Sequence, residues 1–130
     1  MSLAAMRVAR PTADLDRIRT FYGEVVGLPL LWSFADHDGF DGAIFGVPDE
    51  RAQLELVRTP HDDTPAPTNE DALVLYHSAS AAVTELLYRL WRAGTIEVAD
   101  DDPTLNPYWP RHGARCFVDP DGYRLIVVQS

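Results

Sequence analysis

The chain has 130 residues, of which 46% are apolar and 24% charged, which is the composition and size of one ordinary globular domain. Its 20 acidic residues outweigh 11 basic ones to give a net charge of −9, which argues against nucleic acid and against an anionic membrane surface as partners. Every basic residue is arginine, so Schiff-base lysines and lysine-dependent phosphate loops are excluded. No run approaches the ~18 consecutive apolar residues of a membrane span, and no secretory signal is visible, so a cytoplasmic protein is expected. Cys116 is the sole cysteine and can form neither an intramolecular disulfide nor a zinc cluster by itself. Residues 1–5, ahead of Met6, are set aside as an expression leader.

In chain order, Arg7-Val8-Ala9-Arg10 reads as a short strand stopped by Pro11. Leu15, Ile18, Phe21 and Tyr22 then recur at helical spacing, with Asp14 and Asp16 in the first turn where the helix dipole favours anions. Gly27 and Pro29 close that helix. Strands are expected over 28–35, 42–47 and 52–58, separated by Asp38-Gly39 and Pro48-Asp49-Glu50 turns. Residues 59–71, with Pro60, Pro65 and Pro67, read as a linker.

The same order then repeats. Residues 72–77 form an apolar strand, and Val83, Leu86, Leu87 and Leu90 mark a helix over 80–93 capped by Gly94. Strands follow at 96–99, 114–118 and 123–129, the last two joined by the turn Asp119-Pro120-Asp121-Gly122. Between them lies a polar and aromatic loop from Asp100 to Gly113. The expected fold is α+β: two βαβββ modules, 7–58 and 72–129, within one domain spanning 6–130. Each module alone is near the lower limit for an independent core, so pairing of the two is expected.

Two motifs carry a family resemblance. Ala13-Asp14-Leu15-Asp16-Arg17 with Phe21-Tyr22 and Val26-Gly27-Leu28 resembles the opening helix of the vicinal oxygen chelate superfamily, which includes glyoxalase I, bleomycin-resistance proteins and extradiol dioxygenases. Asp119-Pro120-Asp121-Gly122-Tyr123-Arg124 is similar to that superfamily's turn before the last strand. The Asn106-Pro107-Tyr108-Trp109 segment resembles one in a bacterial branch of the same superfamily that lacks most metal ligands. The resemblance implies paired modules whose mixed, mostly antiparallel sheet is cupped around a cavity, helices outside, in a homodimer. Superfamily enzymes hold a divalent metal with two side chains from each module.

Carried over position by position, those four ligands fall on Arg7, Glu55, Ala72 and Ile126. Alanine and isoleucine have no donor atoms and arginine stays protonated, so Glu55 is the one candidate donor and no metal or other cofactor is expected. Alternation along the strands puts Arg7, Ala9, Gln53, Glu55, Val57, Ala72, Val74, Tyr76, Arg124, Ile126 and Val128 on the cavity wall. Arg7 and Glu55 are expected to face each other across the cavity, the guanidinium replacing the metal's charge; an ion pair with no part in binding is the alternative. Tyr108 and Trp109 are candidate lid residues, or else aromatics that cover the edge of the core. The four histidines show no metal-ligand spacing.

Two functions fit this reading. One is a metal-free binding protein of the bleomycin-resistance type that sequesters a small apolar or aromatic molecule through Arg7, Gln53, Glu55, Tyr76, Tyr108, Trp109, Arg124 and Ile126. The other is a lyase- or dioxygenase-like enzyme with Glu55 as general base and Arg7 or Tyr76 stabilising developing negative charge.

Overall fold

The computed structural model describes residues 2–130, which divide into two compact units, the first ending at Pro65 and the second running from Ala66 to Ser130. Unit 1 begins with β1 (Met6–Pro11) and a first helix, α1 (Leu15–Thr20). Asp14 is the N-cap of α1, one position earlier than the first-turn role expected of it: its extended backbone lets the carboxylate accept from the Arg17 N–H at 3.1 Å. The helix does not simply stop before Gly27. It widens into a π-helix over Phe21–Val26, which lets Phe21, Tyr22 and Val26 all reach the core together with Ile18. Gly27 ends it at φ +88°, a left-handed conformation suited to glycine, with the Leu28 N–H donating back to the Tyr22 carbonyl.

β2 (Leu30–His37), β3 (Phe40–Gly46) and β4 (Ala52–Arg58) complete the unit. The strand order is β1-β4-β3-β2, with β1 parallel to β4 and the other neighbours antiparallel. Register assigns the two faces. Leu54 pairs with Phe45 and Leu56 with Ala43, and these four are buried on the face that α1 and the π-helix cover. Arg10 reaches this core as well, its guanidinium donating to the Tyr22 hydroxyl at 2.8 Å.

Unit 2 repeats the pattern with β5 (Ala72–His77), α2 (Ser80–Arg92), β6 (Ile96–Val98), β7 (Arg115–Val118) and β8 (Arg124–Gln129) in the order β5-β8-β7-β6. Again the first and last strands run parallel and the remainder antiparallel. α2 buries Leu86 and Leu90, two of the four positions its periodicity marks, and leaves at Gly94 with φ +72°. The fold is therefore α+β, two four-stranded mixed sheets each with a helical layer. One element escaped the sequence reading: a single helical turn, α3 (Tyr108–Arg111), lies within the loop before β7. Among the described residues no helix is long and apolar enough to cross a membrane.

Candidate functional site

The face of each sheet turned away from α1 in unit 1 and α2 in unit 2 is where the strand candidates fall, and the two faces differ in kind. In unit 1, the parallel register sets Arg7 opposite Gln53 and Ala9 opposite Glu55, so the side chains of Arg7, Gln53 and Glu55 share one face of adjacent strands. Arg7 Nε donates to Gln53 Oε1 at 2.9 Å and its Nη1 to Glu55 Oε1 at 3.1 Å. Gln53 is itself fixed, its amide donating to the Glu50 carbonyl at 2.7 Å. The pair expected to confront each other across a cavity is thus a lateral ion pair along one sheet. The reason is topological: β1 and β4 are hydrogen-bonded neighbours, so their same-face side chains lie about 5 Å apart.

The ion pair is not deeply buried. The Arg7 side chain is 48% exposed and that of Glu55 18%. An exposed pair of this kind contributes about 0–1 kcal/mol. Arg7→Met is therefore expected to leave the melting curve within about 1 kcal/mol of wild type in urea denaturation; a larger loss would mean that the pair holds the fold together.

In unit 2 the corresponding face is closed by the chain's own loop. Leu105 and Ala114 pack with Val98, Cys116, Ile126 and Val128 into one buried cluster, and Val74, Val118 and Trp109 lie against it. Ile126, expected on a cavity wall, is 2% exposed within that cluster. Arg124, expected beside it, is also buried, and its guanidinium donates to the Thr104 carbonyl at 3.0 Å and to the Thr104 hydroxyl at 2.6 Å. Both expectations are corrected on the same ground: residues 99–107 fold onto this face, Leu105 fills it and Arg124 anchors it. Alternation put Arg124 and Ile126 on the right face but could not tell that the loop occupies it.

Asp102 completes the anchor by accepting from the Thr104 N–H at 2.8 Å and the Thr104 hydroxyl at 2.6 Å. These hydrogen bonds, the hydroxyl first, with a smaller contribution from the Arg124 charge, hold the Asp102 carboxyl below its ordinary value of 3.8. A carboxyl whose pKa is lowered on folding stabilises the fold above its unfolded pKa and loses that contribution as the pH falls through its folded one. The loop is accordingly expected to loosen below pH 3.8. Trp109 fluorescence should report this step in wild type, and the step should be missing from Asp102→Asn.

The remaining candidates are accessible. Tyr76 on β5 is 62% exposed and Tyr108 on α3 is 48% exposed. Tyr108 stacks on His112 with ring centroids 4.1 Å apart and meets Trp109 edge-on at 5.0 Å. Trp109 faces the other way, onto the core cluster, as an aromatic cover for the core edge would. Cys116 is a small buried residue, and burial raises the pKa of its thiol.

The donor set does not fit a resident metal. Of the four positions carried over, Arg7 is cationic, Glu55 is engaged by Arg7, Ala72 has no donor atom and Ile126 lies in a hydrophobic cluster. Among the described residues no three His, Cys, Asp or Glu side chains come together in a way that could hold a metal ion.

Two βαβββ units of this topology define the vicinal oxygen chelate fold of glyoxalases and antibiotic-resistance proteins. Solved structures of low identity share it. Glyoxalase I of Leishmania major is 18% identical with a TM-score of 0.71, over 99% of this chain and 86% of that one. TnmS3, an antibiotic binding protein from a Streptomyces species, is 22% identical with a TM-score of 0.69, over 99% and 98%. The models of the YycE-like N-terminal domain and the YycE-like C-terminal domain match residues 6–57 and 70–129. YycE of Bacillus subtilis is 34% identical over 128 residues, which is 98% of this chain and 88% of the relative. Its 2.0 Å crystal structure gives a TM-score of 0.86, covering 98% of this chain and 90% of that one. The chain belongs to the YycE-like family.

Proposed function

We propose that this protein binds a small organic molecule without a metal, as a sequestering protein, and that Arg7, Gln53 and Glu55 supply the polar recognition. The observation that carries the reading is the Arg7 guanidinium, which donates to both Gln53 and Glu55; by the superfamily resemblance, Arg7 and Glu55 stand where metal-dependent members place ligands. A guanidinium there offers a fixed cation and spare N–H donors, and Glu55 offers an acceptor, so the row can orient a ligand of mixed polarity. Within unit 2 the exposed Tyr76 and Tyr108 offer apolar surface, whereas Arg124 and Ile126 hold the loop. The net charge of −9 favours cationic compounds during encounter.

Two relatives support this direction. YycE of Bacillus subtilis is described as a protein of unknown function grouped with glyoxalases and fosfomycin resistance proteins, and TnmS3 as an antibiotic binding protein. We also propose a cytoplasmic homodimer.

The reading is tested by thermal shift and calorimetry against a panel of aromatic antibiotics, cationic and neutral, with wild type, Arg7→Ala and Glu55→Ala. Saturable binding that falls about tenfold or more in either variant supports it, since a lost charged hydrogen bond costs about 1.5–3 kcal/mol. Equal binding by all three proteins would place the ligand elsewhere. Turnover of a panel compound that vanishes in Glu55→Gln would favour the enzymatic alternative, with Glu55 as general base.

A further inference from the structure

Each four-stranded sheet has two edges, and an edge strand presents unpaired backbone N–H and C=O groups that natural proteins blunt with charge, proline or brevity. β1 carries Arg7 and Arg10 and ends in Pro11, and β6 is three residues long with Glu97 at its centre. β5 exposes one large apolar side chain, Tyr76. β2 is different. It is eight residues long, it pairs with β3 alone, and it exposes Leu30 (46%), Leu31 (37%) and Trp32 (66%) in succession. Residues 25–35 contain no charged side chain, in a chain whose net charge is −9.

We infer that β2 is the interface with a second copy of this chain, paired antiparallel about a two-fold axis at Ser33. Three features carry this. First, register shifts between Leu30 and Trp32 and between Phe34 and His37 leave Trp32-Ser33-Phe34 as the regular stretch, so the pairing centre falls at Ser33. Secondly, such a pairing is self-complementary. Ser33 opposes its own copy, and Trp32 of each chain opposes Phe34 of the other. Trp32 pairs with Ile44 and Phe34 with Gly42 in β3, so both aromatics stand on one face and can form two symmetric cross-strand aromatic contacts. Thirdly, two chains of like charge meet with least repulsion where neither carries a charged side chain. The result joins two copies of the unit 1 sheet across their edges. This gives the proposed homodimer its interface, and it involves neither Arg7, Gln53 nor Glu55.

The test is Ser33→Cys in the full chain, with size-exclusion light scattering and mild oxidation. Residues directly opposed in an antiparallel pair have Cα atoms about 4.5–5.5 Å apart, within reach of a disulfide. Cys116 is buried and does not compete. The expected result is a dimer that oxidation converts almost wholly to a disulfide-linked form, while Ala35→Cys, opposed to Leu31, does not cross-link. Adding Trp32→Glu, at a position 66% exposed, to Ser33→Cys should weaken association and cut the linked fraction about tenfold or more. A dimer in which Ser33→Cys fails to cross-link overturns the β2 interface while the homodimer stands. A monomer at every concentration overturns both.

Discussion

Arg124→Met is expected to lower the free energy of unfolding by about 2–3 kcal/mol, read as a fall in the urea midpoint with an unchanged slope. Arg124 is buried in β8, and its two hydrogen bonds to Thr104, with the packing of Leu105, tie residues 99–107 to the sheet. Methionine matches much of the length of the side chain but provides no donor, so the Thr104 carbonyl loses a charged partner and Asp102-Thr104 is left holding the loop on its own. A midpoint within the error of wild type would mean that the loop is held by packing alone, and that the arginine is free for a ligand after all.

Leu105→Ala is expected to cost about 2–5 kcal/mol, the range for removing a buried leucine side chain. Leu105 sits in the cluster with Val98, Ala114, Cys116, Ile126 and Val128, and its removal leaves a cavity against Ile126. Amides of β8 and of the loop should exchange faster by native-state hydrogen exchange, while those of β3 and β4 in unit 1 should keep their protection relative to global unfolding. A loss below about 0.5 kcal/mol would show that the loop is a loosely held cover. The contrast with the small effect expected for Arg7→Met places stability in the sealed face of unit 2 and not in the polar row of unit 1.

Most of the fold was legible because hydrophobic period and turn chemistry agree along the chain. The apolar spacing of Val83, Leu86, Leu87 and Leu90 with Gly94 behind it specifies α2, and Asp119-Pro120-Asp121-Gly122 specifies the last turn: the Asp119 carboxylate accepts from the Asp121 and Tyr123 N–H groups. The π-helix was not legible. Phe21, Tyr22 and Val26 fit an α-helical stripe nearly as well, and the difference arises from packing against Phe45, whose ring lies so close to Gly23 that a Cβ there would be 3.2 Å away. α3 was missed because four residues carry no periodic signal, and Pro110 lies inside it.

For the candidate site, position by position transfer gives Arg7 and Glu55 and strand alternation adds Gln53, and the register of β1 with β4 sets the three on one face. What it could not give was their distance, because expecting two walls of a cavity ignored that β1 and β4 are neighbours. The burial of Arg124 and Ile126 has a signal in the sequence. Leu105 is the one large apolar residue between Asp100 and Pro107, and Asp102 with Thr104 forms a local turn that aims it at the sheet. An isolated leucine in an otherwise polar loop indicates a loop that packs. For the exposed Leu30-Leu31-Trp32 run of β2 the sequence specifies only a strand, since alternation alone does not say which strands end a sheet.

The Arg7-Gln53-Glu55 row is proposed to recognise a ligand by its own charges and not to coordinate a cation. Metal analysis of the purified protein, before and after loading with nickel, zinc, manganese and iron, tests it most directly. The expected result is less than a tenth of an equivalent of any of them per chain, approximately, with no shift in melting temperature on loading. One equivalent of metal, lost in Glu55→Ala and accompanied by a higher melting temperature, would contradict it and return Glu55 to the role of a ligand.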